Sequence, residues 1–200
     1  MADHADYSRR RQDQAQSTRD AILRSAAGLA RQGGFAKMTI RDICAAAGVT
    51  TGAFYHHFAS KDDLLNQGFA SLDAFLEGVL AQSPDATPTQ RLELLLRLYT
   101  RYMEDLGWET VALYYGRRLA DPSANSMSPD RFTLRAMLEC LTALSRTGVM
   151  SPSLSPQWVA EFLFRHFRGI VIDWVLHRGS YSLEDKLAQD HQFFYKSFHA

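Results

Sequence analysis

The residues best suited to bind a polyanion stand together in one short segment, TTGAFYHH at 50–57. Threonine and tyrosine hydroxyls and histidine N–H groups donate hydrogen bonds to phosphate oxygens. Small side chains at the start of a helix let its backbone approach base edges, and threonine or alanine methyls contact thymine methyls. We therefore predict that one polar face of this helix contacts a nucleic-acid groove: Thr51, Gly52, Ala53, Tyr55, His56 and His57.

The neighbouring sequence indicates how that helix is held in place. A preceding helix begins at the capping pair Thr39–Asp42 and ends at Gly48, which supplies the left-handed turn. Val49, Phe54 and Phe58 alternate with the polar residues. They are expected to pack inward against apolar residues of the first helix of the chain, namely Ile22, Leu23, Ala26 and Leu29. Two short helices joined by such a turn are a helix-turn-helix pattern.

Charge and composition narrow the class of protein. Residues 1–61 contain nine Lys/Arg and five Asp/Glu, and the whole 200-residue chain is neutral, so a basic third precedes an acidic remainder. The sequence has no apolar run of the ~18 residues that span a bilayer and no signal-peptide core, so we expect a cytoplasmic protein without membrane contact. Two distant cysteines favour neither disulfides nor a zinc site, and we expect no cofactor or metal.

Capping patterns predict an all-α chain of about nine helices. Ser or Thr followed three residues later by Asp or Gln marks a helix start. Ser followed directly by Pro also marks a helix start, with Ser as the cap and Pro as the first helical residue. No segment alternates as a β-strand does. The predicted starts are Ser17, Thr39, Ser60, Thr87, Ser128, Ser155 and Ser182, with two more after Gly48 and Gly107.

The segment TIRDICAAAGVTTGAFYHHFASKDDLL, residues 39–65, resembles the DNA-binding segment of the tetracycline-repressor (TetR) family of bacterial transcriptional regulators. The resemblance covers roughly the first third of the chain. It implies that Thr39 and Arg41 lie near phosphates and base edges and that Thr50 caps the recognition helix. It implies that Thr51, Gly52 and Ala53 contact bases. It also implies that the DNA backbone is bound by Tyr55, His56, His57 and Lys61.

The resemblance also implies the organisation of the rest of the chain. We expect a flexible basic arm at 1–16, a three-helix DNA-binding domain at 17–62, and a helical bundle at 63–200 that binds ligand and dimerises. The homodimer would form through helices at about 129–147 and 156–177. It would act as a repressor on a palindromic operator, released when a small apolar or aromatic effector moves the helix at 60–82.

Aromatic residues of the second part are candidates for the effector site, although helical spacing equally suits a core. The candidates are Phe69, Tyr99, Tyr102, Met103, Trp108, Tyr114, Arg117, Phe162 and His166. His166, Asp173 and His177 share a helical face, but two turns separate the first pair, so an interface or pocket is favoured over metal.

Two other classes of protein remain open. An enzyme is disfavoured because the chain has no phosphate loop, nucleophile elbow, HExxH or paired-carboxylate motif. A DNA-binding module could instead use its C-terminal helices for a protein partner. An aromatic cavity of several hundred Å³ would favour the effector hypothesis over that alternative.

Overall fold

The computed structural model describes residues 2–121 and 131–198, with side chains described for 6–69, 72–121 and 131–192. Every regular element in these residues is an α-helix, and the nine described helices have a TetR-like order with an N-terminal helix-turn-helix, as predicted. They are α1 (Ala2–Gly33), α2 (Ile40–Ala47), α3 (Thr51–His57), α4 (Lys61–Ala81), α5 (Pro88–Leu106), α6 (Trp108–Ala120), α7 (Phe132–Arg146), α8 (Pro156–Leu176) and α9 (Leu183–Phe198).

The chain divides into two compact units, Met1–Gly68 and Phe69–Ala200. In the first unit α1, α2 and α3 contact one another in pairs. Their shared core contains the fully buried side chains of Ile22, Ile43 and Phe54, and Phe58 directly after α3 is buried equally. Burial of these side chains leaves the polar residues of α3 on the outside.

Local capping explains most helix starts. The predicted boxes Thr39–Asp42 and Thr87–Gln90 form with both reciprocal hydrogen bonds. At Ser60 and Ser182 the hydroxyl accepts the backbone N–H three residues on. Gly48 ends α2 with φ 67°, a left-handed conformation that glycine adopts without steric cost. The start predicted at Ser128 lies outside the described residues.

The predicted helix start at Ser17 is wrong, because α1 is already helical from Ala2. Residues 6–16 include three arginines and three glutamines, which favour helix. An ion pair between Arg10 and Asp6, 2.8 Å, and a bond from Gln16 to Asp20, 2.9 Å, add support one turn apart. The segment predicted as a basic arm is thus helical here, and the domain limits at 16 and 62 stay a prediction.

The second unit is a bundle organised around α5 and α8. Helix α5 contacts α6, α7 and α9, and α8 contacts α6, α7 and α9. The side chains of Leu95, Met103, Val111, Met137 and Val171 are fully buried between them. Among the residues described, no helix is long and apolar enough to cross a membrane.

Lys61 holds the turn between α1 and α2. Its ammonium donates to the carbonyls of Phe35 at 2.9 Å, Ala36 at 3.1 Å and Met38 at 2.9 Å, and it lies 5.1 Å from the Phe35 ring centre. A lysine ammonium has three N–H donors, and here all three have carbonyl partners. This geometry argues against the phosphate contact predicted for Lys61 and gives the side chain a structural role.

Substituting Lys61 with alanine is therefore expected to destabilise the first unit. Three carbonyls, of which those of Phe35 and Met38 are part-buried, would lose a charged partner, so the free energy of unfolding should fall by about 1–3 kcal/mol in urea denaturation. Lys37→Ala is the matched control, since Lys37 is exposed in the same turn and should change stability by less than about 0.5 kcal/mol. Equal stability of the two variants would contradict the structural role of Lys61.

Candidate DNA interface and effector cavity

Helix α3 presents the polar face that the sequence predicts for DNA contact. The hydroxyl of Thr50 caps it by accepting the N–H of Ala53 at 3.1 Å. Phe54 is buried, whereas Tyr55 remains 58% exposed. The exposed or half-buried remainder of α3 is Thr51, Gly52, Ala53, His56 and His57. The structure therefore brings the predicted recognition residues onto one accessible helix.

The two histidines of α3 differ in environment. Their rings lie 5.1 Å apart, nearly perpendicular to each other. Partial burial, together with the charges of His56 and Arg19, lowers the pKa of His57. At neutral pH His57 is therefore mostly uncharged, and its ring carries a neutral N–H donor.

The start of α2 carries the other predicted DNA residues. Thr39 donates its hydroxyl to the carboxylate of Asp42 at 2.7 Å and accepts the N–H of Asp42 at 3.2 Å. The backbone N–H of Thr39, and then its hydroxyl, lower the pKa of the Asp42 carboxyl. The hydroxyl proton of Thr39 is committed to this box, whereas Arg41 beside it is an exposed cation of α2.

A cavity of about 260 Å³ lies within the second unit between α6 and α8. Tyr99 and Tyr114 were predicted for the effector site, and both line it. The lining is aromatic and arginine-rich: Tyr99, Tyr114, Tyr115, Arg118, Leu119, Arg131, Phe164, Arg165, Arg168, Gly169 and Ile172. Its volume is slightly below the ~300–1,000 Å³ usual for ligand sites.

The other predicted effector residues do not line this cavity. Met103 is fully buried in the core, and Phe69 is buried against the Tyr114 ring. Phe162 stacks between Trp158 and His166 along α8. Tyr102, Trp108 and Arg117 are partly buried residues outside the lining. Sequence spacing therefore identified aromatic faces of helices without showing which of them border a void.

The histidines of α8 form two separate pairs. His166 Nε2 lies 3.2 Å from Asp190 of α9, and His177 Nδ1 lies 3.5 Å from Asp173. Tyr181 also donates to Asp173 at 2.7 Å. Among the described residues no group of three or more His, Cys, Asp or Glu side chains could hold a metal ion. On the polar face predicted at His166, Asp173 and His177, His166 thus contacts α9. Asp173 contacts Tyr181, whereas His177 pairs with Asp173 of its own helix.

The charge of the cavity comes from arginines that the sequence reasoning missed. Four arginines line the cavity, and its described lining contains no carboxylate. Arg165 lies 3.4 Å from Glu161 one turn away, and Arg168 lies 5.4 Å from the Phe164 ring centre. Arg165 and Arg168 are three positions apart and therefore share a helical face. This spacing was the signal in the sequence that could have indicated a pair of arginines at one site.

Tyr99 and Tyr115 of the cavity remain neutral and contribute hydroxyl groups rather than charge. Burial, followed by the neighbouring Tyr115, raises the pKa of Tyr99 well above its usual value. Burial, followed by Tyr114, also raises the pKa of Tyr115. Positive guanidinium groups beside flat aromatic rings suit an anionic ligand that also carries an apolar or flat portion.

A larger hollow of about 610 Å³ lies between α5 and α9. It is lined by Glu93, Arg97, Glu184 and His191 among others, and no Phe, Tyr or Trp occurs in its described lining. Ligand sites are usually lined by apolar and aromatic side chains with few polar groups. The smaller cavity between α6 and α8 is therefore the better effector candidate.

Comparison with known proteins places these features in a family. Residues 22–67 match the family described as "Bacterial regulatory proteins, tetR family". The chain is 28% identical over 179 residues to the HTH-type transcriptional repressor KstR2 of Mycolicibacterium smegmatis, covering 86% of this chain and 85% of the relative.

Solved structures share the fold. The ketosteroid transcriptional regulator KstR2 of Mycobacterium tuberculosis matches with a TM-score of 0.57 and 23% identity, over 91% of this chain and 95% of the other. The FadR repressor of Thermus thermophilus, solved in complex with lauroyl-CoA, matches with a TM-score of 0.57 and 23% identity, over 87% of this chain and 91% of the other. Residues 22–67 therefore match the TetR family, and the chain as a whole has the fold of TetR transcriptional regulators, which are not enzymes.

Proposed function

We propose that this chain is a homodimeric repressor that binds a palindromic operator and releases it when an anionic effector with an apolar portion occupies the cavity between α6 and α8. The observation that carries the proposal is the lining of that cavity, four arginines beside three tyrosines. The relatives described as repressors support the direction of control. Such a regulator acts in the cytoplasm, where bacterial DNA is found.

The DNA-binding half of the proposal rests on the exposed face of α3. Thr51, Gly52 and Ala53 place little bulk at the start of the helix, so its backbone can approach the base edges. Arg41, Tyr55 and His56 are exposed around them and can donate to phosphates. In a dimer two such helices enter major grooves ~34–36 Å apart, or a multiple of that.

Gly52 gives a test that separates folding from DNA contact. A Cβ built at Gly52 meets only the Thr50 hydroxyl oxygen, at 3.7 Å, which is an ordinary contact. Gly52→Ala should therefore stabilise the protein by about 0.5–1 kcal/mol, because alanine favours helix over glycine. It should nevertheless weaken operator binding about tenfold or more, because the new methyl stands between backbone and bases.

The operator for this measurement is selected from random duplexes with the purified protein, and binding is followed by fluorescence anisotropy. Gly78→Ala is the matched control, since Gly78 is also helical with nothing within 4 Å of its added Cβ. It should stabilise the protein similarly and leave operator affinity unchanged. Unaltered operator binding by Gly52→Ala would refute the close approach of α3.

The charge of the cavity lining favours one class of effector over another. One structural neighbour was solved with lauroyl-CoA, and another is described as a ketosteroid regulator. A fatty acyl thioester of coenzyme A carries phosphates, whereas a ketosteroid has no anionic group. Four lining arginines without a lining carboxylate therefore favour the acyl thioester.

Addition of lauroyl-CoA is expected to lower operator affinity about tenfold or more, within the range of usual allosteric coupling. The measurement is a titration of the protein–operator complex followed by anisotropy. A neutral 3-ketosteroid, the matched apolar ligand without an anion, should have no such effect. Release by the ketosteroid alone would contradict the anionic class, and release by neither would favour the protein-partner alternative.

The dimer half of the proposal rests on α8, one of the two predicted dimer helices. Residues spaced alternately by four and three positions form one accessible stripe along it: Trp158, Phe162, Arg165, Gly169, Ile172 and Leu176. Trp158 is 50% exposed and Leu176 is 75% exposed. Such spacing suits helix pairing. The other predicted dimer helix, at about 129–147, corresponds to α7 (Phe132–Arg146), and residues 129 and 130 lie outside the described residues.

Leu176→Glu is expected to convert the dimer to monomer. A carboxylate left without a partner in an apolar interface costs about 2–4 kcal/mol, which weakens association roughly thirtyfold to several hundredfold. Sedimentation analysis at micromolar concentration measures this. Val149→Glu is the control, because Val149 is an exposed apolar residue, 37% exposed, that lies outside α8. A dimer that both variants retain equally would contradict the α8 interface.

A further inference from the structure

The cavity is connected to α4 by an ion pair. Arg131, which lines the cavity, donates from Nε to the Asp73 carboxylate at 2.7 Å and from Nη2 at 3.4 Å. Thr133 donates its hydroxyl to the same carboxylate at 2.9 Å. The side chains of Arg131 and Asp73 are 25% and 22% exposed, so the pair is largely withdrawn from water.

A second contact joins the same face of α4 to the cavity. Phe69 lies four residues before Asp73, one helical turn away. Its ring stacks on that of Tyr114, with the centroids 3.6 Å apart and the planes 6° from parallel. Tyr114 also lines the cavity. Two α4 side chains on one face therefore each contact a residue that an occupant of the cavity would touch.

The guanidinium of Arg131 is a suitable point of competition. An arginine binds a carboxylate or phosphate through paired N–H donors, and Asp73 already uses two of the five that Arg131 has. A phosphate or carboxylate in the cavity would need the same geometry. Arg165 instead pairs with Glu161 of its own helix, and Arg168 lies over the Phe164 ring.

We propose that the anion of the effector binds Arg131 in place of Asp73, and that loss of the Arg131–Asp73 ion pair is how α4 detects the effector. The inference rests on the proposed effector site. It adds that Arg131 binds the anion and that the anion displaces Asp73. Asp73 would keep only the Thr133 hydroxyl, so the face of α4 at Phe69 and Asp73 would lose its strongest bond to the cavity.

The test compares Asp73→Asn with Glu161→Gln. Each change turns an acid into an amide of the same shape beside an arginine of the cavity, but only Asp73 belongs to α4. In the absence of effector, Asp73→Asn should lower operator affinity about tenfold, as expected for losing a charge-assisted hydrogen bond, and Glu161→Gln should leave it unchanged. Thermal unfolding followed by circular dichroism establishes that both variants are folded.

Effector binding gives the second measurement. By calorimetry, Asp73→Asn should bind lauroyl-CoA about tenfold more tightly than the unaltered protein, because the competing carboxylate is gone. Arg131→Gln should bind it at least about tenfold more weakly. Laurate and coenzyme A, titrated separately, distinguish a carboxylate from a phosphate as the anion that Arg131 binds.

Two results would overturn the inference. One is an unchanged operator affinity in Asp73→Asn without effector; the other is an equal gain in lauroyl-CoA affinity in Asp73→Asn and Glu161→Gln. If the unaltered protein binds none of the three anions, the proposed effector class is wrong instead. The effector-free comparison of operator affinities then decides the role of the ion pair by itself.

Discussion

The DNA-binding unit depends on the burial of Phe54 and Phe58. Helix α3 has seven residues, and isolated helices shorter than ~12–15 residues are marginal in water. Its conformation must therefore come from packing, and Phe54 at the centre of α3 and Phe58 at its end are both fully buried. Once these two side chains are fixed, Tyr55 and His56 between them have only the outer face available. One apolar constraint thus both folds the helix and exposes its polar residues.

Features that arise within one helical turn were accessible from the sequence. The capping boxes at Thr39 and Thr87 need only residues three positions apart, and both form as predicted. The inward direction of Phe54 and Phe58 follows from helical periodicity in the same way. Ser17 shows the limit of such reasoning, because a cap residue does not begin a helix when helix-forming residues already precede it.

Features that depend on distant residues were not accessible. Lys61 finds its carbonyl partners 23 to 26 residues earlier, and Arg131 finds Asp73 58 residues earlier. No local pattern indicates such partners. Likewise Tyr99 and Met103 share a face of α5 and were predicted alike, yet only Tyr99 borders a void. Which aromatic residues line a cavity is decided by the packing of several helices.

The Arg131–Asp73 pair has the energetics that exchange with a ligand requires. Desolvation offsets much of the attraction in a part-buried ion pair, so such a pair adds little net stability, whereas removing one partner is costly. An effector anion avoids that cost for the guanidinium, because it replaces one carboxylate-like partner with another. The exchange then costs the loss of the ionic partner of Asp73, which keeps the Thr133 hydroxyl, and burial of the apolar portion of the ligand must offset that cost. Reversing a two-state population from 1:99 to 99:1 takes ~5.5 kcal/mol, and each buried methylene contributes ~0.8 kcal/mol. Burial of about seven methylene groups beside the tyrosines of the cavity would therefore suffice, which is why a charged ligand without an apolar chain should bind Arg131 yet shift α4 only weakly.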